Sequence, residues 1–592
     1  MNVIILDGYV DEPACFGVPP YLSPYPRYVA GALVECGFSE EDILYLTIDR
    51  VRKAGKELAK TFKDAGCLII ISGMTVPGKY LTGVPITDEE IRTLFRLAGG
   101  IKILGGPIRL GYSQEGGKTA TATELFLQKE VLVSKKDIES FVFDRFNPAE
   151  SKTAVQNEIG ADLPHRYRTT NEIARWSEKG AFIAGKHPNF PNIICEIETY
   201  RGCGRKKHCS FCTESFYGRP DFREEEDIIA EVKKLYDVGV RHFRLGRQPD
   251  LFAYKGIDTG GLILKPNPSA IEKLYSGIRR VAPDLLTLHM DNGNPITLAE
   301  FPNESAEILK TIVKYHTPGD VIAMGLESAD PAVVAANNLK ASAEQVMEAV
   351  RLVNKIGAVR GKNGMPEILP GINFVHGLSG ETKKTFQLNA EFLKQVYDEG
   401  LMLRRINIRQ VMAFPKTPIY ESLENNFEKS DQNRSHSNIR SHSKQNDYFK
   451  DYKEKIRKEI DLPMLRRVAP VGTVLRDVFM EIYDTEAKSD LTFGRQFGTY
   501  PLLVGVPDKL DLNRFYDIVI TGHGYRSVSG IPYPVNVNTV PSGILKELPG
   551  LNPSMAEEII RMRPYSGKED LILRSPHGKL IEKYVCFEDE KE

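Results

Sequence analysis

Three cysteines lie within ten residues of one another: Cys203, Cys209 and Cys212. Three thiolates on one loop can bind three irons of a four-iron cubane cluster and leave the fourth iron open to another ligand. A structural zinc ion is the alternative, and His208 is then the nearby fourth donor. Because His208 directly precedes Cys209, chelation of one zinc ion by both is strained. The spacing therefore favours an iron–sulfur cluster over zinc and over three unrelated packing thiols.

The other five cysteines stand alone in apolar or turn-like surroundings, which is typical of packing thiols in a reducing compartment: Cys15, Cys36, Cys67, Cys195 and Cys586. No apolar run approaches the roughly 18 residues that span a bilayer. The start, Met1 to Asp7, has no basic leader and contains an acid. We expect a soluble chain, without a membrane span, in the cytoplasm.

The chain of 592 residues is too long for one hydrophobic core, so we expect several domains. Hydrophobic residues make up 41% and charged residues 27%, which excludes wholesale disorder. The 78 basic residues nearly balance the 79 acidic ones, so no global field draws the whole molecule to nucleic acid or to an anionic membrane. Any such attraction must be local.

Short apolar runs alternate with amphipathic stretches over residues 1–120, which predicts a doubly wound parallel sheet. Two of its loops are rich in small residues: Ser72 and Gly73 begin the first, and Gly105, Gly106 and Pro107 form the second. Both follow strands, at the carboxyl edge where doubly wound sheets bind ligands. We therefore expect a cofactor at this edge. Residues 121–190 are interpreted as a connector with some strand.

Strands and helices alternate again over residues 191–424, and six strand candidates predict a partial or complete (β/α) barrel. The cysteine cluster follows the first of these strands, at the end where such barrels carry their chemistry. Residues 425–446 are polar and serine-rich, which predicts a disordered insertion. Residues 447–490 read as helical and 492–537 as short strands, so that 447–537 is a helical and small β region, and 538–592 reads as a small helical module.

The cysteine cluster and four later segments, in order, resemble the radical S-adenosylmethionine (radical SAM) superfamily. The segments are His242 to Gln248, Gly325 to Ser328, Gly371 to Thr382 and Phe414 to Tyr420. The resemblance implies that Cys203, Cys209 and Cys212 hold a [4Fe–4S] cluster and that S-adenosylmethionine binds its open iron. It further implies that S-adenosylmethionine contacts residues at the strand ends, namely Gly246, Glu327, Ser328 and Gly377. Five and then two residues separate the cysteines, whereas three and then two is usual in the superfamily.

A parallel sheet directly before such a barrel resembles the cobalamin-binding class of that superfamily, in the style of its archaeal members. The resemblance implies that Ser72, Gly73, Gly105, Gly106 and Pro107 approach the macrocycle, since small residues let backbone come close to a flat ligand. Residues 1–120 contain no histidine, so this domain offers no imidazole to the lower face of cobalt. The alternative is a sheet that only packs on the barrel.

Residues 538 to 563 resemble a helix-hairpin-helix module, in which the turn Leu548-Pro549-Gly550 precedes a helix N-terminus whose amides can hold a phosphate. Such modules also serve as protein contacts. The sequence leaves both nucleic-acid contact and a structural or protein-binding role open.

Together these resemblances imply a cobalamin-dependent radical SAM C-methyltransferase that draws electrons from a donor such as ferredoxin or flavodoxin. The residues beyond the barrel are more than a small metabolite needs, which favours a macromolecular substrate, either protein or RNA. One alternative keeps the radical chemistry for rearrangement or ring formation without methyl transfer. Another is a nucleic-acid-binding protein whose iron–sulfur cluster is structural. The sequence assigns no catalytic side chain.

Overall fold

A computed structural model describes residues 1–9, 21–73, 84–112, 117, 119–121, 130–147, 164–423, 437–484 and 491–588. Its strands are β1 (Val3–Asp7), β2 (Tyr21–Leu22), β3 (Ile43–Thr47), β4 (Cys67–Ile71), β5 (Ile101–Gly105), β6 (Leu132–Val133), β7 (Ile194–Glu198), β8 (Tyr200–Arg201), β9 (Asp221–Phe222), β10 (His242–Gly246), β11 (Thr287–Met290), β12 (Asp320–Glu327), β13 (Ile368–His376), β14 (Arg405–Gln410), β15 (Val474–Tyr483), β16 (Thr492–Arg495), β17 (Leu503–Val506), β18 (Phe515–His523), β19 (Ser527–Pro532), β20 (Val535–Asn536) and β21 (Val585–Cys586).

The α-helices span Pro24–Glu35, Ile48–Ala54, Ala59–Asp64, Asp88–Leu97, Ile138–Phe146, Thr170–Lys179, Glu225–Val238, Pro268–Val281, Pro295–Glu300, Pro302–Tyr315, Pro331–Ala336, Ala343–Gly357, Lys383–Asp398, Ser437–Ile456, Leu462–Val468, Ser542–Leu545, Pro553–Arg561, Lys568–Arg574 and Gly578–Ile581. A π-helical turn, Arg457–Asp461, joins two of them. No helix among the described residues is long and apolar enough to cross a membrane.

The first sheet has the order β3-β1-β4-β5-β6 and is parallel throughout. Because strand side chains alternate between the two faces, Val3 and Ile5 enter one hydrophobic core while Ile4 and Leu6 enter another. Helices cover both faces, so the predicted doubly wound sheet is confirmed. The sheet extends past residue 120, since β6 pairs with β5 inside the stretch interpreted as a connector.

The central region forms a partial barrel from two sheets, β11-β10-β7-β2 and β12-β13-β14. All six strand candidates of the sequence are confirmed, and a parallel bridge from Asn292 to Ala323 links the two sheets. The two-residue strand β2 comes from the N-terminal region and pairs with β7. One continuous hydrophobic core runs from the first sheet into this barrel, so the two are packed as one body.

Five strands after the barrel close into a second, smaller barrel with the order β15-β16-β17-β19-β18. Neighbouring strands are antiparallel except β17 and β19, which are parallel. The four short helices of residues 542–581 pack on this barrel through a shared hydrophobic core. The small β region of the sequence is therefore a closed barrel.

The segment 425–446 was expected to be disordered, yet residues 437–446 belong to the helix Ser437–Ile456; the rest of that segment, 425–436, lies outside the described residues. The first small-residue loop begins at Ser72 and Gly73, and its continuation to Gly78 also lies outside the described residues.

Candidate functional site

The cysteine loop leaves the carboxyl end of β7 through the short strand β8. Gly202 has a φ of +92°, and a Cβ there would lie 2.5 Å from the Arg219 carbonyl oxygen, so this turn requires glycine. The Gly202 amide donates to Glu214 Oε1 over 2.6 Å, and the Cys203 amide donates to the Gly218 carbonyl over 3.1 Å. These bonds hold the cysteine loop in place at the mouth of the barrel.

The donor set of this loop fits an iron–sulfur cluster better than zinc. Among the described residues, the thiols and His208 do not form a group of ligand atoms that all lie within 4.8 Å of one another. Tetrahedral zinc with bonds of about 2.3 Å brings its sulfur ligands to roughly 3.8 Å, whereas a cubane separates its cysteine sulfurs more widely. Cys203, Cys209 and Cys212 are the residues that would hold the cluster.

A cavity of about 120 Å³ lies next to this loop. Cys209, Cys212, Glu327, Lys340 and Arg409 line it from the central barrel, Leu110 from the N-terminal domain and Tyr500 from the C-terminal barrel. Cys203 lines an adjoining smaller cavity that Lys340 also borders. All three regions of the chain thus contribute to one site.

Charges in the cavity oppose one another. Burial raises the pKa of the Cys212 thiol to about 12. Burial lowers the pKa of Lys340, but Cys209, Cys212 and Glu327 raise it more, and the net shift is upward. A cation at this position favours the thiolate forms that bind iron.

Glu327 is the predicted cofactor residue that the structure brings into the cavity. It ends β12 at a β-bulge and has a φ of +60°, a backbone conformation that residues with a side chain rarely adopt. Burial raises the pKa of its carboxyl to about 7, against the opposing effects of Lys340 and Arg409. The Glu327 side chain is therefore held in the cavity by a strained backbone.

The other three predicted S-adenosylmethionine residues do not line the cavity. Gly246 ends β10, where a Cβ would lie 2.2 Å from Glu196 Oε1. The Ser328 hydroxyl accepts from the Asp330 amide over 3.1 Å. The Gly377 amide donates to Glu381 Oε1 over 3.1 Å. Their contacts to S-adenosylmethionine stay predictions.

The two small-residue loops of the first sheet lie side by side. The Ser72 amide donates to the Gly105 carbonyl, and the Ile108 amide donates to the Ser72 carbonyl, each over 3.0 Å. Gly106 has a φ of +93° and a Cβ there would lie 2.7 Å from the Ser72 carbonyl oxygen. At Gly105 a Cβ would meet the side chain of Ile138, so that glycine is needed for packing inside the domain.

The loop at Gly105 to Pro107 leads towards the cysteine loop. The turn Pro107–Leu110 continues from Gly106 and places Leu110 in the wall of the cavity. The Arg109 guanidinium lies 5.1 Å from the ring centroid of Tyr217, which also lines the cavity. The carboxyl edge of the first sheet and the cysteine loop therefore share a boundary.

Tyr500 is a cavity residue that the sequence did not single out. Its hydroxyl donates to Asp291 Oδ1 over 2.8 Å, and Arg244 donates to the other oxygen of Asp291 over 2.7 Å. The loop that carries Tyr500 joins β16 to β17, and Thr499 donates to the Met290 carbonyl over 3.0 Å. The C-terminal barrel thus inserts one loop into the side of the central barrel.

Comparisons with known proteins identify the family of this chain. The family model described as "Radical SAM superfamily" matches residues 197–393. An uncharacterized protein of Methanocaldococcus jannaschii is 44% identical over 536 residues, which are 89% of this chain and 93% of the relative. An uncharacterized protein of Archaeoglobus fulgidus is 41% identical over 571 residues, covering 96% of this chain and 97% of the relative.

The chain belongs to the radical SAM superfamily. Membership implies a [4Fe–4S] cluster and S-adenosylmethionine as the cofactors of this radical SAM enzyme. A solved structure of the radical SAM methyltransferase TsrM from Kitasatospora setae, with cobalamin and a [4Fe–4S] cluster bound, matches with a TM-score of 0.45 at 14% identity, over 71% of this chain and 77% of TsrM.

Proposed function

We propose that this radical SAM enzyme is a cobalamin-dependent C-methyltransferase that acts on an unactivated carbon of a macromolecule. The observation that supports it is the shared boundary described above: Leu110, from the carboxyl edge of the first sheet, and the cysteines of the barrel line one cavity. Doubly wound sheets bind ligands at that edge. A cofactor held there would face the substrate across the barrel mouth.

The chemistry available with all groups bound is one-electron cleavage of the S-adenosylmethionine sulfonium, hydrogen abstraction from carbon and transfer of a methyl group from cobalt. The chain's own residues prepare this site. Cys203, Cys209 and Cys212 would hold the cluster, and Lys340 and Glu327 offer opposite charges for the carboxylate and amine of the methionyl group. Ser72 and Gly73 are small residues that would let a flat macrocycle come close to the backbone.

We further propose that apolar side chains at the cavity limit the access of water to a reactive carbon centre. Leu110 packs with Ala120 and Phe414 in a small apolar cluster, and Tyr500 lines the cavity. Exclusion of water and of other hydrogen donors protects a radical from side reactions. We further propose that electrons come from a ferredoxin or flavodoxin.

Iron and corrin content test the proposal. After anaerobic reconstitution we expect about four irons per chain in the native protein and almost none in the triple variant Cys203→Ala, Cys209→Ala, Cys212→Ala. His208→Ala is the matched control, and it should keep its iron because the cluster needs no imidazole. Equal iron in the triple variant and the native chain would refute the cluster assignment.

The cobalamin step is tested separately by supplying hydroxocobalamin and removing the excess. Retained corrin absorbance together with 5′-deoxyadenosine formation supports the methyltransferase. Formation of 5′-deoxyadenosine without retained corrin would leave radical rearrangement or ring formation instead. If neither 5′-deoxyadenosine nor retained corrin is found, the alternative that remains is a protein whose iron–sulfur cluster is structural.

A further inference from the structure

The C-terminal barrel has the strand order of an oligonucleotide- and oligosaccharide-binding (OB) fold. Three consecutive strands, β15 to β17, pair in sequence order, and the barrel closes by pairing β17 with β19 in parallel and β15 with β18. Barrels of this topology bind oligonucleotides with strands two and three and with the loops between strands one and two and between strands four and five. Here the second of these loops is His523 to Ser527.

This loop lies beside the open edge of the central barrel. Strand β14 is the last strand of its sheet, and Arg526 of the loop approaches the carbonyl oxygen of Ile406 in β14 at 3.5 Å. The neighbouring Tyr525 is 47% exposed. An exposed aromatic ring and a guanidinium therefore lie next to β14, the edge strand of the central barrel.

Six cations from three segments meet at this place and form what we call the cationic face. Strand β14 and the residue before it supply Arg404, Arg405 and Arg409, the helical segment after 437 supplies Lys453 and Arg457, and the loop supplies Arg526. They lie close enough for their charges to act on one another. Among the described residues, Asp461 is the acid whose charge acts on Arg404 and Arg526. Glu327 also interacts with Arg409, so the six cations outnumber these two acids, although the whole chain is nearly neutral.

The electrostatics of the face agree with that excess. Burial, Arg526 and Arg405 together lower the pKa of Arg404 to about 10, against the opposing effect of Asp461. Burial, Arg457, Arg526 and Arg409 lower the pKa of Lys453. Like charges that repel one another in this way are stabilised by a bound polyanion.

The cationic face continues into the reaction cavity. Arg409 lines the cavity that contains Cys209 and Cys212. The Arg405 guanidinium lies 4.3 Å from the ring centroid of Tyr500, which lines the same cavity. A chain held on the face could therefore present one of its residues to the cluster side of the cavity.

We propose that the cationic face binds single-stranded RNA, with phosphates on its arginines, a base stacked on Tyr525 and a neighbouring nucleotide directed into the cavity. The proposal deepens the proposed function and rests on it for the reaction. Five of the six cations are arginines, whose planar fork suits phosphate oxygens. Exposed rings beside a cationic groove are the usual platform for single strands. The OB topology and Tyr525 favour RNA over an acidic polypeptide, which offers charge but no base to stack.

The test measures RNA affinity of the full-length, anaerobically reconstituted protein. The probe is a fluorescein-labelled 15-nucleotide RNA of mixed sequence, followed by fluorescence anisotropy over a series of salt concentrations. The variant is Arg457→Gln with Arg526→Gln, and the matched control is Arg92→Gln with Arg351→Gln, two exposed arginines elsewhere on the molecule. Iron content and circular dichroism show that each variant is folded.

For the native protein we expect affinity to fall steeply with salt. The face variant should bind at least about tenfold more weakly and lose about 1.4 from the slope of log affinity against log salt, since each phosphate contact on a single strand contributes about 0.7. Tyr525→Ala alone should weaken binding about fivefold or more with little change in that slope. The control variant should bind as the native protein does.

Equal affinity in the face variant and the control variant would overturn the proposal. Displacement of the RNA by poly-glutamate at equal charge concentration would overturn it in favour of an acidic protein partner. Binding is measured without S-adenosylmethionine or reductant, so loss of radical chemistry does not affect it. A protein that binds RNA through this face but forms no 5′-deoxyadenosine would contradict the proposed function and leave the RNA site standing.

Discussion

Removing the Tyr500 hydroxyl should loosen the loop that the C-terminal barrel inserts into the central barrel. Tyr500→Phe keeps the ring, which packs against Val321 and Ala323, and deletes the hydrogen bond to Asp291. A hydrogen bond to a charged group contributes about 1.5 to 3 kcal/mol. Asp291 keeps its bond from Arg244, so the lower part of that range applies, and opening of the loop should become about tenfold more frequent.

Hydrogen exchange measures this opening without assuming that the whole chain unfolds in one step. In peptides that cover residues 496–502 we expect amide exchange to accelerate about tenfold in Tyr500→Phe, while peptides from the first sheet keep their rates. Tyr525→Phe is the control, because that ring is 47% exposed on another loop of the same barrel. Unchanged exchange in Tyr500→Phe would refute the reasoning and show that contacts such as that of Thr499 with the Met290 carbonyl hold the loop alone.

Three further predictions concern stability. Burial raises the pKa of Asp7 from 3.8 to about 6, so its charge destabilises the fold increasingly as pH rises from about 4 to 6. In thermal melts the free energy of unfolding of Asp7→Asn should exceed that of the native protein by up to about 3 kcal/mol at pH 8 and should equal it at pH 4. Arg27 forms a fully buried ion pair with Glu231, so Arg27→Met should lower the free energy of unfolding by about 3 kcal/mol or more, whereas melts of Arg92→Met, at an exposed pair, should barely change. Deletion of residues 538–592 should expose an apolar face of the C-terminal barrel and cause aggregation, measured by light scattering, while the iron content stays unchanged. If the soluble fraction of the deletion variant also binds RNA more weakly than the native protein, phosphate binding by the helical module is supported.

The sequence predicted the parts of the fold whose hydrophobic pattern is local. Six of the seven strands of the central barrel were predicted, most of them from short apolar runs that end in a polar or glycine-bearing turn. Strand β2 was missed because two residues carry no pattern. Strand β15 lies in a stretch that was interpreted as helical: a bulge between Leu475 and Val478, with Asp477 at a φ of +54°, interrupts its alternation of buried and exposed residues.

The site was predictable where its residues share one segment and not where the fold brings distant segments together. The three cysteines could be read from their spacing, and Glu327 from its place at a strand end. Lys340 and Tyr500 carry no such signal, because a single lysine or tyrosine in a loop is usually a solvated side chain. Their role in the cavity depends on contacts between segments that are far apart in sequence.

The placement of the first sheet over the barrel is fixed by hydrogen bonds rather than by a hinge. The Gly117 amide donates to the Val411 carbonyl and the Ala120 amide donates to the Ala413 carbonyl, each over 2.8 Å. This segment of the N-terminal region therefore pairs with the residues that directly follow β14. A Cβ at Gly111 would lie 3.2 Å from Pro415 Cδ, which shows how closely these two segments of the chain approach each other. Because a shared hydrophobic core lies beneath these contacts, separation of the two domains would expose apolar surface from both. Under the proposed function, a methyl group would therefore pass between cofactor and substrate across a preformed gap, and the moving partner would be the substrate rather than the domain.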